Sequence, residues 1–236
     1  MAERYPSAVA AILGGSAVRG EGSETSDLDL LVVIDELAAP YRESFVSHGW
    51  PVEAFVNNPS SYRFFFEQNI RRRRPSLPQM CAEGVVLVDD TGVGAHIKEE
   101  AEALVAAGPA PLSTDELDSV RYRVTDLLDD FIGARTMPET YFTATELVLA
   151  ASDLLLGTRG RWLASSKWID REIRRLDKDL ADRLVSSLEA LFRVGDRTPL
   201  VSWVEGALAQ AGGRLFEGYR QEGPRESTKR TPEVLG

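Results

Sequence analysis

The feature that most restricts this chain is a pair of aspartates at the head of an apolar run, Asp27-Leu28-Asp29 followed at once by Leu30-Leu31-Val32-Val33-Ile34. Aliphatic and β-branched residues in an unbroken stretch read as a buried strand. Side chains two apart in a strand project from one face, so the two carboxylates stand side by side. Neighbouring carboxylates repel, and each favours protonation or solvation. A hard divalent cation relieves such a pair, and Mg²⁺ shares its oxygen ligands between carboxylates and phosphates.

Upstream lies Gly14-Gly15-Ser16-Ala17-Val18-Arg19-Gly20, directly after the short apolar segment 7–13. Gly14 and Gly15 carry no Cβ, so backbone N–H groups there can approach an anion closely. Ser16 adds a hydroxyl and is expected to begin a helix whose N-terminus favours phosphate. Arg19, one turn further on, either reaches the same phosphates or is a solvated helix residue. A phosphate cradle joined by a short polar loop to a two-carboxylate metal site describes phosphoryl or nucleotidyl transfer.

Gly-Gly-Ser, a spacer, and Asp-x-Asp on a strand resemble the signature of the DNA-polymerase-β-like nucleotidyltransferase superfamily. The version here, through Ser26-Asp27-Leu28-Asp29-Leu30, is similar to its minimal and aminoglycoside-modifying branches. The resemblance implies that Asp27 and Asp29 bind Mg²⁺. It also implies a third carboxylate on a neighbouring strand, which Glu53 within Val52-Glu53-Ala54-Phe55-Val56 matches, as ligand or base; a surface-facing glutamate is the rival reading. Further on, Thr145-Glu146-Leu147 and Ser165-Ser166-Lys167-Trp168 are similar to the helix and lysine of streptomycin and kanamycin nucleotidyltransferases. That likeness implies a phosphate contact for Lys167 and makes Glu146 a second candidate base. The implied nucleotide-binding residues are Gly14, Gly15, Ser16, Arg19, Ser26 and Lys167, with ATP or another nucleoside triphosphate as co-substrate.

The expected fold is α+β: a nucleotidyltransferase domain with a small mixed sheet over 1–108, then a C-terminal helical bundle over 112–220 that binds substrate. The active site is expected in the cleft between them. Residues 51–56 and 84–88 read as further strands, 61–70 and 94–107 as helices, and Pro40 to His48 as a short helix. Gly108-Pro109-Ala110-Pro111 is a plausible linker. Ser113-Thr114-Asp115-Glu116 offers an N-cap with an acidic first turn. Helices are expected over 114–134, 139–156, 165–176, 178–193 and 199–211. Residues 221–236, rich in Pro, Glu, Ser, Thr and Lys, read as a loose tail.

The formal net charge of −10 disfavours nucleic acid as a partner and suits a cationic or neutral small acceptor, such as an aminoglycoside-like antibiotic. Asp126, Asp129 and Asp130 are either an attractor for such a polycation or simply a solvated face. Arg71 to Arg74 read as a solvated cap that complements a helix dipole. The one cysteine, Cys81, is expected to be a small buried residue, and with His48 and His96 the only histidines a zinc site is not expected. No apolar run reaches the length of a membrane span, and no charged-then-apolar leader opens the chain, so a cytoplasmic protein is expected. The alternatives are a nucleotidyltransferase acting on tRNA or protein, as in toxin–antitoxin systems, and a non-catalytic nucleotide-binding protein.

Overall fold

The structure, a computed structural model, describes residues 3–90 and 92–222. It divides into two compact units. The first comprises Met1–Pro111 together with Arg159–Arg175, and the second Leu112–Thr158 together with Leu176–Gly236. The expected tail lies, beyond residue 222, outside the described residues.

The first unit is built on five strands: β1 (Ala10–Gly14), β2 (Leu28–Val33), β3 (Tyr41–Ser47), β4 (Trp50–Asn57) and β5 (Val85–Asp89). They lie in the order β3-β4-β2-β1-β5, with β2 and β4 parallel and every other pair antiparallel. Three helices follow or interleave: α1 (Pro59–Arg71), α2 (Ser76–Glu83) and α3 (Val93–Ala107). Their apolar faces, including Tyr62, Phe66, Met80, Cys81 and Ile97, pack on Ala10, Ile12, Leu31 and Val33 from one face of the sheet. The opposite face carries Ala11, Leu30, Val32, Val52, Ala54 and Val56, covered by Tyr5 and Ala8. Cys81 is buried as expected, and loss of hydration pushes its thiol up to about 12.

Two expectations in this half are corrected. Pro40 to His48 is not a helix but the edge strand β3, paired antiparallel with β4 from Tyr41↔Val56 to Ser47↔Trp50. The cause is His48-Gly49, whose φ angles of 51° and 83° form a two-residue turn of the kind that matches hairpin twist. The strand at Asp27 begins one residue later, at Leu28. Helix α2 had no counterpart among the expectations; Pro78 lies within its first turn, where no intrahelical N–H is required.

The second unit contains α4 (Thr114–Gly133), α5 (Met137–Thr158), α7 (Lys178–Val194) and α8 (Thr198–Gln210), close to the expected spans. Between them in sequence, α6 (Trp168–Leu176) belongs through Arg175 to the first unit. The Ser113 cap forms a full capping box: its hydroxyl accepts from Glu116 N at 3.2 Å, and the Glu116 carboxylate accepts from Ser113 N at 2.8 Å. The core is Val124, Leu128 and Phe131 of α4, Leu147 and Leu154 of α5, Leu191 of α7 and Val204 and Leu208 of α8, all fully buried. Trp203 packs among these helices and donates its indole N–H to Leu180 O at 3.0 Å. Among the described residues no helix is long and apolar enough to cross a membrane.

Candidate active site

Asp29 is the second residue of β2, and its register partners are Gly14 on β1 and Glu53 on β4. The glycine of the loop motif, the second aspartate and the candidate third carboxylate therefore form one row across three adjacent strands. Alternation puts Asp29 on the same face as Leu31 and Val33, the face covered by helices, at the sheet end where β1 stops. Asp27 stands just ahead of the strand. One carboxylate oxygen from each of Asp27, Asp29 and Glu53 lies within 4.8 Å of the others, with Asp27 exposed and the other two half-buried. Burial raises the Asp29 carboxyl above the ordinary aspartate range. Repulsion from Asp27 and then Glu53 adds to the rise, and Arg19 and Arg42 offset part of it. Arg42 of β3 donates a hydrogen bond to the Glu53 carboxylate. These three side chains fit a divalent cation in donor type, in spacing and in a repulsion that the arginines compensate only in part.

The loop after β1 brings its backbone against this row. Gly15 has φ +84°, and a Cβ there would sit 2.3 Å from Asp29 Oδ2. At Gly14 a Cβ would strike Met80 of α2 at 2.3 Å from Cγ and 2.7 Å from the carbonyl oxygen. The first glycine is thus needed for helix packing and the second for approach to the carboxylate. The helix expected from Ser16 does not form. Residues 16–20 are successive turns, closed by Gly20 N to Ala17 O at 3.3 Å and Glu21 N to Ser16 O at 3.0 Å. Positive φ at both Gly15 and Gly20 interrupts helical propagation while the chain reverses into its antiparallel neighbour. No helix N-terminus is therefore offered here. The Ser16 hydroxyl donates to Ser26 Oγ at 3.2 Å, and Ser26 Oγ also accepts from Ser23 N at 2.8 Å, so Ser26 pins the loop.

A cavity of about 1060 Å³ opens on this row, and all its lining residues belong to the first unit. Gly15, Ser16, Arg19, Asp27, Asp29 and Lys167 line it; Gly14, Ser26 and Glu53 do not. The segment 159–175 supplies one part of the lining. Its Trp168 ring has two guanidinium groups against it, Arg19 at 4.9 Å and Arg171 at 4.7 Å from the centroid. Arg171 also donates to Glu21 at 2.7 Å, and Arg19 to Glu83 at 2.8 Å. Trp168 is thus held on the cavity wall by the loop's own arginine. Arg19 is likewise a partnered lining residue, not a solvated helix residue.

Glu146 lies elsewhere in the chain's organisation, on α5 of the second unit, exposed and paired with Arg123 at 3.1 Å. Asp126, Asp129 and Asp130 are exposed on α4, with Asp129 held by Arg214 at 2.6 Å. Arg42 carries no signal of its own in the sequence, because Pro40 to His48 reads as a helix. Nor does the sequence show that Arg72 and Arg74 line the cavity, together with Arg161 and Trp162. The four-arginine run was the visible signal, but nothing local distinguishes a solvated helix end from one that faces a cavity.

Residues 1–72 match the sequence family described as nucleotidyltransferase domain. That span holds the Gly-Gly-Ser loop, Asp27, Asp29, Arg42 and Glu53. No curated protein matches the chain. Among solved structures, the nucleotidyltransferase-like protein from Exiguobacterium sibiricum 255-15 superposes with a TM-score of 0.44 at 13% identity. The overlap covers 89% of this chain and 72% of that one, and is too loose to carry an argument about chemistry.

Proposed function

We propose that this chain is a Mg²⁺-dependent nucleotidyltransferase that moves a nucleoside monophosphate, AMP from ATP, onto a hydroxyl of a small-molecule acceptor. The observation that carries this reading is the triad. Asp27, Asp29 and Glu53 bring oxygens within 4.8 Å of one another, in a segment that matches a nucleotidyltransferase domain. A bound Mg²⁺ there would neutralise the carboxylates, engage triphosphate oxygens and acidify an acceptor hydroxyl.

The chain's own residues account for the remaining requirements. Gly15 leaves the backbone open beside Asp29, and Ser16 can turn its hydroxyl from Ser26 to a phosphate oxygen. Arg19 and Lys167 supply positive charge on the same cavity lining, Arg19 held in place by Glu83 and Trp168. Glu53 is the third ligand or the proton acceptor, its orientation set by Arg42. Glu146 is a second candidate for the proton, on the family resemblance alone. The same resemblance offers polyhydroxylated molecules of the aminoglycoside kind as one acceptor class for the screen.

The test is an acceptor screen with ATP labelled at the α-phosphate, with and without Mg²⁺, scored for labelled product and pyrophosphate. Mg²⁺-dependent label transfer that disappears in Asp27→Asn supports the reading. Transfer undiminished in that variant, or no Mg²⁺-dependent binding of ATP at all, refutes it.

A further inference from the structure

The protein is strongly acidic, yet the cavity is not: seven arginine and lysine side chains line it, against four carboxylates. Some of these cations are neutralised in place, as Arg19 is by Glu83 and Arg175 by Glu172. Among the described residues Arg72, Arg161 and Lys167 have no carboxylate partner. Lys167 directly precedes Trp168, whose ring Arg19 contacts, and the proposed function assigns it to the triphosphate. Arg72 comes from the end of α1, and Arg161 from the stretch before Trp162, in the same segment as Lys167.

Those two segments are fastened together. Leu163 N donates to Arg73 O at 2.8 Å, and the Trp162 indole donates to Val105 O at 3.1 Å. The turn that sets Arg72 and Arg74 on the lining is a specific one. Arg74 N closes on Asn69 O at 3.0 Å, and Arg73 takes φ 56° where a glycine would be the ordinary choice. Its side chain points to the carbonyl oxygens of Ala110 and Pro111. The dipole of α1 accounts for arginines at that helix end, but not for Arg161, which lines the same cavity from a part of the chain distant in sequence.

We infer that Arg72 and Arg161 form a second anion subsite, so that the acceptor is a small hydroxyl compound carrying a phosphate, not a polycation. The inference rests on the nucleotidyltransferase reading for the nucleotide that shares the cavity. An unpaired guanidinium is the side chain best suited to hold a phosphate. A cavity of about 1060 Å³ is at the upper end of small-molecule sites, which leaves room for an acceptor beside a nucleotide. The acidic exterior, at −10 overall, opposes an extended polyanion but not an anion small enough to sit inside.

The experiment is calorimetry on the full chain with ribose 5-phosphate, inorganic phosphate, kanamycin and a 20-nucleotide RNA as probes. Each probe is titrated with and without saturating Mg²⁺ and α,β-methylene-ATP, whose own binding is measured first. The expected result is that ribose 5-phosphate binds the nucleotide-loaded protein more tightly than kanamycin or RNA does. Arg72→Ala and Arg161→Ala should each weaken it about tenfold and change nucleotide affinity less than threefold. Inorganic phosphate should follow the same variants more weakly, which separates the phosphate group from the sugar as the source of recognition. Competition between ribose 5-phosphate and the nucleotide analogue would assign the arginines to the triphosphate and overturn the inference. So would preference for kanamycin or RNA, no binding of either phosphate, or phosphate binding indifferent to both variants. Failure of the analogue to bind, with phosphate binding still dependent on Arg72 and Arg161, would refute the transferase reading and leave the anion subsite intact.

Discussion

Replacing Asp29 by asparagine should make the metal-free protein more stable and, at the same time, abolish its response to Mg²⁺. Oxygens of Asp27, Asp29 and Glu53 lie within 4.8 Å of one another. At that separation two like charges repel by about 3.5 kcal/mol at an effective dielectric near 20, and by about 0.9 kcal/mol in water. Asp27 is exposed, so its share lies near the lower figure. Glu53 is only 17% exposed but has Arg42 on it, and Asp29 also forfeits some attraction to Arg19 and Arg42 when neutralised. A net gain of about 1–2 kcal/mol remains, or roughly 2–8 °C in Tm for a protein of this size. The pH dependence has a definite sign. Burial and repulsion hold the Asp29 carboxyl above its ordinary range, so the folded chain binds that proton more tightly than the unfolded one. This penalty on wild type is full above the raised value and fades as pH falls towards the ordinary one, so the advantage of Asp29→Asn shrinks over that window. The assay is thermal denaturation of both proteins in EDTA and in Mg²⁺, at neutral pH and at successively lower values. A variant no more stable than wild type in EDTA, or one stabilised by Mg²⁺ as much as wild type, would refute the electrostatic account of the triad.

Gly15→Ala should cost about 1–3 kcal/mol in denaturant unfolding and eliminate ATP binding, because φ is +84° and the new Cβ meets Asp29 Oδ2 at 2.3 Å. Glu53→Gln should lower kcat far more than it raises the KM for ATP; if Glu146 takes the proton instead, steady-state kinetics will show that signature in Glu146→Gln. Ser113→Ala should destabilise the second unit by about 1 kcal/mol in a urea titration, since it removes one half of a complete capping box, and should leave ATP binding unchanged.

The elements with strong periodicity were legible from the residues: β2 and β4 as apolar runs, and α4, α5, α7 and α8 from helical spacing and caps. Elements whose identity depends on what lies beside them were not. Tyr41 to Ser47 is a strand because β4 offers it a ladder after a two-residue turn, and its own residues show no clear alternation. Arg42 was hidden with it. The row Gly14–Asp29–Glu53 follows from the register of three strands, which no local spacing encodes. Asp27 and Asp29 could be paired from their spacing, although β2 begins only at Leu28, whereas Glu53 enters only through a family likeness. The helix expected from Ser16 failed on glycines at positive φ, which the residue types allowed but did not require. The place of Trp168 on the cavity wall was not legible either, because its partner Arg19 lies far away in sequence.

The return of Arg159–Arg175 to the first unit bears on the order in which the protein can assemble. A chain emerging from a ribosome delivers the five strands and α3 first, then must complete α4 and α5 before Trp168 appears. From Pro111 to Arg175 that delay is roughly 3–13 seconds at ordinary rates of synthesis. Throughout it Arg19 lacks its tryptophan, Glu21 lacks Arg171, and Arg73 O lacks the amide of Leu163. The sheet can form early, but the wall of the cavity is a late addition, supplied only after half of the helical unit has been made. For the same reason no single cut in the chain can separate the two units.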